Sequence, residues 1–196
     1  MGDKSPISAV FDLNKPILNQ KGIVVWLLGL SGAGKSTISL LLEERLRSNG
    51  FFSVLLDGDK LRSGMNQDLS FSRTDRSENI RRTAEVAKIL ADHNVVVICS
   101  LITPLQEHRN IANRILTQDY FEVYVDCPLN ICEQRDVKGL YKKARNKEIP
   151  NFTGISSAFE PVIKPSLVLS TSVQTPDEST RLLYHAILPI ISPHKK

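Results

Sequence analysis

Residues 23–28 read Ile-Val-Val-Trp-Leu-Leu and run straight into Gly29-Leu30-Ser31-Gly32-Ala33-Gly34-Lys35-Ser36-Thr37. An apolar, β-branched run, a glycine-rich turn of the form G-x-x-x-x-G-K-[ST], and then a helical pattern constrain the fold more than anything else in the chain. The glycines let the backbone curl so that successive N–H groups point inward, toward phosphate oxygens. The helix that begins near Lys35 adds its positive end. Lys35 is placed to reach β- and γ-phosphates, and the Ser36 hydroxyl to ligate Mg²⁺. Gly29, Leu30, Ser31, Gly32, Ala33, Gly34, Lys35, Ser36 and Thr37 are therefore the expected nucleotide phosphate-binding segment, with Ser36 the expected metal ligand.

Four more short apolar runs read as strands, at 53–57, 95–101, 121–126 and 167–171. Helical periodicity falls between them, at 35–48, 75–93, 104–117 and 177–191, with Pro104 in a favoured first-turn position and Asp75-x-x-Glu78 resembling a capping box. Alternation of this kind, with strands apolar on both faces, predicts an α/β P-loop NTPase architecture. It has three layers, α/β/α, around a mostly parallel five-stranded sheet. Residues 15–196 read as a single domain behind an N-terminal arm at 1–14. The stretch 138–165 is basic and then rich in Asn, Gly, Ser and Pro, and reads as a lid.

Composition narrows the functional classes. The net charge of +4 is concentrated: residues 135–147 carry six basic side chains and one acid. One basic segment on a near-neutral body points to a small anion, not to nucleic acid, whose binders spread positive charge widely. No apolar run is long enough to span a bilayer, and the N-terminus has no secretory pattern, so neither membrane nor export is expected. Cys99, Cys127 and Cys132 form no C-x-x-C pair, and Cys99 lies in an apolar run as a core residue. His93, His108, His185 and His194 lack zinc-type spacing. These features fit a protein of the reducing cytoplasm with no structural metal. An N-K-x-D guanine motif is absent, and the D-x-x-G at Asp136–Gly139 falls too late to be a switch region.

A compact phosphate-binding domain with a basic lid favours a small-molecule kinase. Asp57 and Asp59, two apart at a strand's carboxyl end, have the chemistry to orient an acceptor hydroxyl, take its proton and serve the metal network. The residues do not distinguish which aspartate does which. Arg62 follows one helical turn later, and Arg76 and Asn79 share a helix face suited to an acidic substrate. Two other readings stand at this point: a kinase for another nucleotide or nucleoside, and a nucleotide-binding partner without catalysis. Turnover separates the last from the others.

The segments GLSGAGKST, DGDKLRSGMN with Phe71 following, DRSENIRR and VYVDCPLNICEQRDVKGLYKKARNKEIPNFTGI resemble the adenylylsulfate kinase family, over roughly residues 15–175. The resemblance implies ATP, Mg²⁺ and transfer to the ribose 3′-hydroxyl of adenylyl sulfate. It also implies a homodimer and a role in sulfate assimilation, with a separate ATP sulfurylase as a possible partner. Carried over residue by residue, acceptor contacts fall on Asp59, Arg62, Phe71, Arg76, Asn79, Ile102, Lys138 and Phe152, with Phe71 and Phe152 stacking on adenine. Arg135 and Arg145 are implied on the ATP side. Thr103 stands where the family has serine, which implies a contact residue and direct transfer instead of a phosphoserine intermediate. Catalytic roles thus fall on Lys35, Asp57, Asp59 and Thr103. Ser70 replaces a glycine, which stiffens the loop, and Phe159 replaces a tyrosine at the cost of one hydrogen bond.

Overall fold

A computed structural model describes residues 18–193; the predicted arm at 1–14 lies outside the described residues. The strands are β1 (Ile23–Leu28), β2 (Ser53–Asp57), β3 (Val96–Ser100), β4 (Tyr120–Asp126) and β5 (Leu167–Ser170). The helices are α1 (Lys35–Ser48), α2 (Gly58–Ser63), α3 (Arg73–Asp92), α4 (Gln106–Leu116), α5 (Leu129–Arg135), α6 (Leu140–Arg145) and α7 (Pro176–Ile191). The five strands lie in the order β2-β3-β1-β4-β5, and every pairing is parallel.

β1 is central, which is why it is apolar throughout. Ile23, Val25 and Leu27 face Ile38, Leu42 and Leu46 of α1 and Leu183, Ile187 and Ile191 of α7. Val24, Trp26 and Leu28 face Ile80, Ala84 and Ala87 of α3 and Ala112 and Leu116 of α4. Each fully buried aliphatic or aromatic side chain contributes roughly 1.5–3 kcal/mol by leaving water. The result is the three-layer arrangement that alternating strands and helices predict. Because all strands run the same way, their carboxyl ends gather along one edge, the place where such sheets bind ligands.

Two helix starts differ from the sequence reading. α4 begins at Gln106, not at Pro104, because the Pro104 carbonyl accepts from the Glu160 backbone at 2.9 Å and from Arg109 Nη2 at 3.1 Å. α3 begins at Arg73 under a Ser72 cap, whose Oγ accepts from Asp75 N at 3.1 Å. Asp75 and Glu78 therefore form no capping box; Glu78 instead accepts from Arg81 and Arg82 at 2.7 and 2.9 Å. A full capping box does open α7, where Thr175 and Glu178 bond reciprocally ahead of Pro176. Within 138–165, α6 is followed by turns and a single bridge between Thr153 and Ser157.

Candidate active site

The loop after β1 is held open by its carbonyls. Lys35 Nζ donates to the carbonyls of Gly29 and Leu30 at 3.0 and 2.7 Å. Tyr141 Oη donates to the Ser31 carbonyl at 2.9 Å, Arg135 Nη1 to that of Gly32 at 3.3 Å, and Thr171 Oγ1 to that of Ala33 at 2.7 Å. With its oxygens tied outward, the loop leaves the amides of Ser31, Gly32 and Gly34 without a backbone carbonyl partner among the described residues. That is a nest of donors for an anion at the start of α1. Glycine is required at two points. Gly29 has φ 149° and approaches Val125 O so closely that a Cβ would sit 2.5 Å from it; Gly34 takes φ 101°.

Lys35 is buried, and loss of hydration lowers its pKa to about 8 despite the opposing pull of Asp57 and Asp59. Ser36 Oγ donates to Asp57 Oδ2 at 3.3 Å. The other carboxylate oxygen of Asp57 accepts from the backbone of Asp59 and Lys60 at 3.1 and 3.3 Å, which caps α2. Asp59 is then held beside the loop on the first turn of that helix, ion-paired with Lys138 from the basic segment.

A cavity of about 830 Å³ opens along the carboxyl edge of the sheet. Its walls include Lys35, Ser36, Asp57 and Asp59 together with Arg62, Phe71, Arg76, Asn79, Ile102, Thr103, Lys138 and Phe152. Arg62 stacks over the Phe71 ring at 4.3 Å and donates to the carbonyls of Leu69 and Ser70, so the loop is braced around an exposed aromatic face. Ser70 adds to this, donating through both N and Oγ to Asp75. Arg76 joins two parts of the cavity wall, donating to Phe71 O at 3.0 Å and to Asn151 O at 2.8 Å. Phe152 meets Tyr141 edge-on at 5.0 Å. Thr103 is buried in the left-handed region at φ 44°, a strained setting for a β-branched residue, and its Oγ1 accepts from the Trp26 indole at 2.9 Å.

Not every expected residue reaches the cavity. Arg145 pairs with Glu133 at 2.8 Å and does not line it, while Arg135 lines it but spends its guanidinium on the loop and on Thr171 O at 2.6 Å. Gly29, Leu30 and Ala33 shape the loop from behind the wall. Arg135, Lys138 and Arg145, three of the six basic side chains of the run, are thus committed to the protein's own groups. Asp136, half of the spurious D-x-x-G, accepts from the backbone of Tyr141 and Lys142 and starts α6.

Several contributors were invisible in the sequence. Tyr141 and Thr171 hold the loop, yet only the fold brings them there. Arg109, nearly fully buried, donates to the carbonyls of Pro104, Glu160 and Pro161 at 3.1, 2.7 and 2.7 Å, fastening the return limb of 138–165 to the β3–α4 connection. Phe159 is stacked on Tyr124 and lies under Arg109, a packing role that needs no hydroxyl. His108 lines the cavity as well, and the spacing of the histidines in the sequence gives no sign of it.

A family profile described as Adenylylsulphate kinase matches residues 21–170. The chain belongs to the adenylylsulphate kinase family. The match runs from just before β1 to the end of β5 and so includes the phosphate loop, both aspartates and all the residues expected to contact an acceptor. The chain is 51% identical over 162 residues to the adenylyl-sulfate kinase of Clostridium acetobutylicum, covering 83% of this chain and 81% of that one. It is 46% identical to the adenylyl-sulfate kinase of Bacteroides fragilis strain YCH46 across the full length of both. In three dimensions it resembles the Mycobacterium tuberculosis APS kinase solved in complex with AMPPNP and APS, with a TM-score of 0.83 and 44% identity. That likeness covers 86% of this chain and 98% of the other.

Proposed function

We propose that this protein transfers the γ-phosphate of ATP to the 3′-hydroxyl of adenylyl sulfate, giving 3′-phosphoadenylyl sulfate and ADP. The observation that carries the reading is one cavity lined both by Lys35, Ser36, Asp57 and Asp59 and by Arg62, Phe71, Arg76 and Asn79. The first set suits a nucleoside triphosphate, and the second an aromatic base with an anionic tail. Family membership supports the same pair of substrates.

In this reading the loop amides and Lys35 hold the β- and γ-phosphates. The Ser36 hydroxyl and the Asp57 carboxylate oxygen, neighbours at 3.3 Å, are hard oxygen donors that fit Mg²⁺. When bound, Mg²⁺ neutralises charge on the phosphate oxygens. Asp59, with Asp57 beside it, orients the 3′-hydroxyl and receives its proton as the oxygen attacks phosphorus and the bond to ADP breaks. Thr103 is a contact residue, and transfer is direct. Residues 138–153, with Lys138 already joined to Asp59, close over the site so that transfer outruns hydrolysis. Phe71 and Phe152 flank the adenine. The test is a mass-spectrometric product assay with ATP and Mg²⁺ and either adenylyl sulfate or AMP as acceptor. A product one phosphate heavier than adenylyl sulfate, with none from AMP, is expected. Phosphorylated AMP would replace the substrate, and no product from either would leave a binder.

The family resemblance extends the reading to a homodimer that receives adenylyl sulfate from a separate ATP sulfurylase. Three free, buried cysteines support a reducing, cytoplasmic setting. Among the described residues no helix is long and apolar enough to cross a membrane. We treat residues 15–196 as one kinase unit with its lid at 138–165.

A further inference from the structure

His108 sits on the first turn of α4 with its side chain fully buried, and among the described residues neither Nδ1 nor Nε2 has a hydrogen-bond partner. Buried polar groups are nearly always paired, because an orphaned donor or acceptor costs roughly 1–3 kcal/mol. Its nearest carboxylate does not answer the need. Glu107 Oε1 lies 3.6 Å from Nε2, and both Glu107 oxygens are taken by Arg73 at 2.7 and 2.5 Å. His108 does, however, line the substrate cavity, along with Arg76, Asn79 and Thr103. Asn79 is oriented there: its Oδ1 accepts from Asn66 Nδ2 at 2.9 Å, which leaves its amide NH₂ as a donor. Arg76 commits Nε and Nη2 to carbonyls and keeps Nη1. This wall offers donors and no free acceptor carboxylate.

We propose that His108 is a further acceptor-binding residue, whose ring N–H donates to the anionic phosphosulfate tail of the acceptor beside Arg76 and Asn79. The inference rests on the reading that adenylyl sulfate is the acceptor. It supplies the partner that the ring lacks in the free protein, and it makes His108 a determinant of acceptor affinity.

The proposal carries a pH signature. Burial holds His108 below the ordinary histidine value in the free protein; Arg76 and Arg73 of α3 push the same way, while Glu107 of α4 and Glu160 of the return limb oppose them. An anion against the ring favours the charged form, so binding takes up a proton. Acceptor affinity is therefore greatest at low pH, falls as pH rises between the free and bound pKa values, and levels above the latter.

The experiment compares the full-length wild type with His108→Phe and His108→Gln, measuring KM for adenylyl sulfate, KM for ATP and kcat from pH 5.5 to 8.5. His108→Phe is expected to raise the acceptor KM about tenfold, the effect of losing one hydrogen bond to a charged group, with the ATP KM unchanged. His108→Gln should recover part of that affinity near pH 8 and abolish the pH dependence. An acceptor KM within twofold of wild type in His108→Phe overturns the proposal, as does an unaltered pH profile in His108→Gln should the phenylalanine variant not fold. A wild type that leaves adenylyl sulfate unphosphorylated fails the functional reading itself, and is thereby distinguished from a failure of His108 alone.

Discussion

The Lys35 ammonium in the free protein is turned back on the carbonyls of Gly29 and Leu30, and its pKa of about 8 follows from burial. Nucleotide phosphates bind the charged form. Below about pH 8 the group is already charged, so ATP affinity should be flat. Above it, binding must bring a proton, and the ATP KM should rise toward tenfold per pH unit. Measuring that KM from pH 7 to 9.5 checks the sign; a flat profile to pH 9.5 would mean the lysine is hydrated. Lys35→Ala should abolish transfer. Asp57→Asn and Asp59→Asn, made separately, should each lower kcat by roughly 10²–10⁴ if one positions the hydroxyl and the other serves the metal network. Near-normal rates in both variants would remove the aspartates from the chemistry. Lys35, Ser36, Asp57 and Asp59 were legible in the sequence because motif and strand end place them locally. His108 was not, since nothing in the order of residues says that a histidine will lose its solvent and gain no partner.

Among the elements, β1, α1 and β2 were readable to the residue, because apolar period, glycine turn and strand end agree there. The starts of α3 and α4 were not. At α3 two carboxylates three apart imitated a cap, while the serine before them had the better geometry; at α4 a proline that suits a first turn was claimed by Arg109 and Glu160 from outside it. Ser72→Ala should therefore cost about 1 kcal/mol, a drop of roughly 2–4 °C in Tm for a chain of this size. The phosphate loop is an assembled element as well. Thr171→Val and Tyr141→Phe each release one loop carbonyl and should cost about 0.5–1.5 kcal/mol while raising the ATP KM severalfold. An unchanged ATP KM in both variants would show that the loop keeps its shape unaided.

At the level of the whole molecule, the parallel sheet collects distant segments onto one edge, and the basic excursion reaches across it to Asp59, Ser31 O and Asn151's partner Arg76. Hydrogen exchange should register this: amides of 138–153 should gain protection when ATP analogue and adenylyl sulfate are both bound, more than with either alone. Equal protection in all states would mean the segment is a fixed wall instead of a lid. The family resemblance named residues that line one cavity, but not the bonds that pin them. Arg109 acts across 51 residues to Glu160, and no local pattern encodes such a partner.

The tied carbonyls of the phosphate loop have a consequence for how the protein is made. The motif is complete when residue 37 leaves the ribosome, yet Thr171, which holds Ala33 O, lies 138 residues beyond Ala33. Tyr141, which holds Ser31 O, follows Ser31 by 110. A nascent chain arrested before residue 171 thus carries the nucleotide motif without its finished cradle. Ribosome-bound chains of increasing length, probed with a fluorescent ATP analogue, should show capture switching on in a step after that residue emerges instead of growing from the first helix onward. Competence to take ATP would then certify that the C-terminal strand has docked, and unfinished chains would be spared from binding and wasting nucleotide.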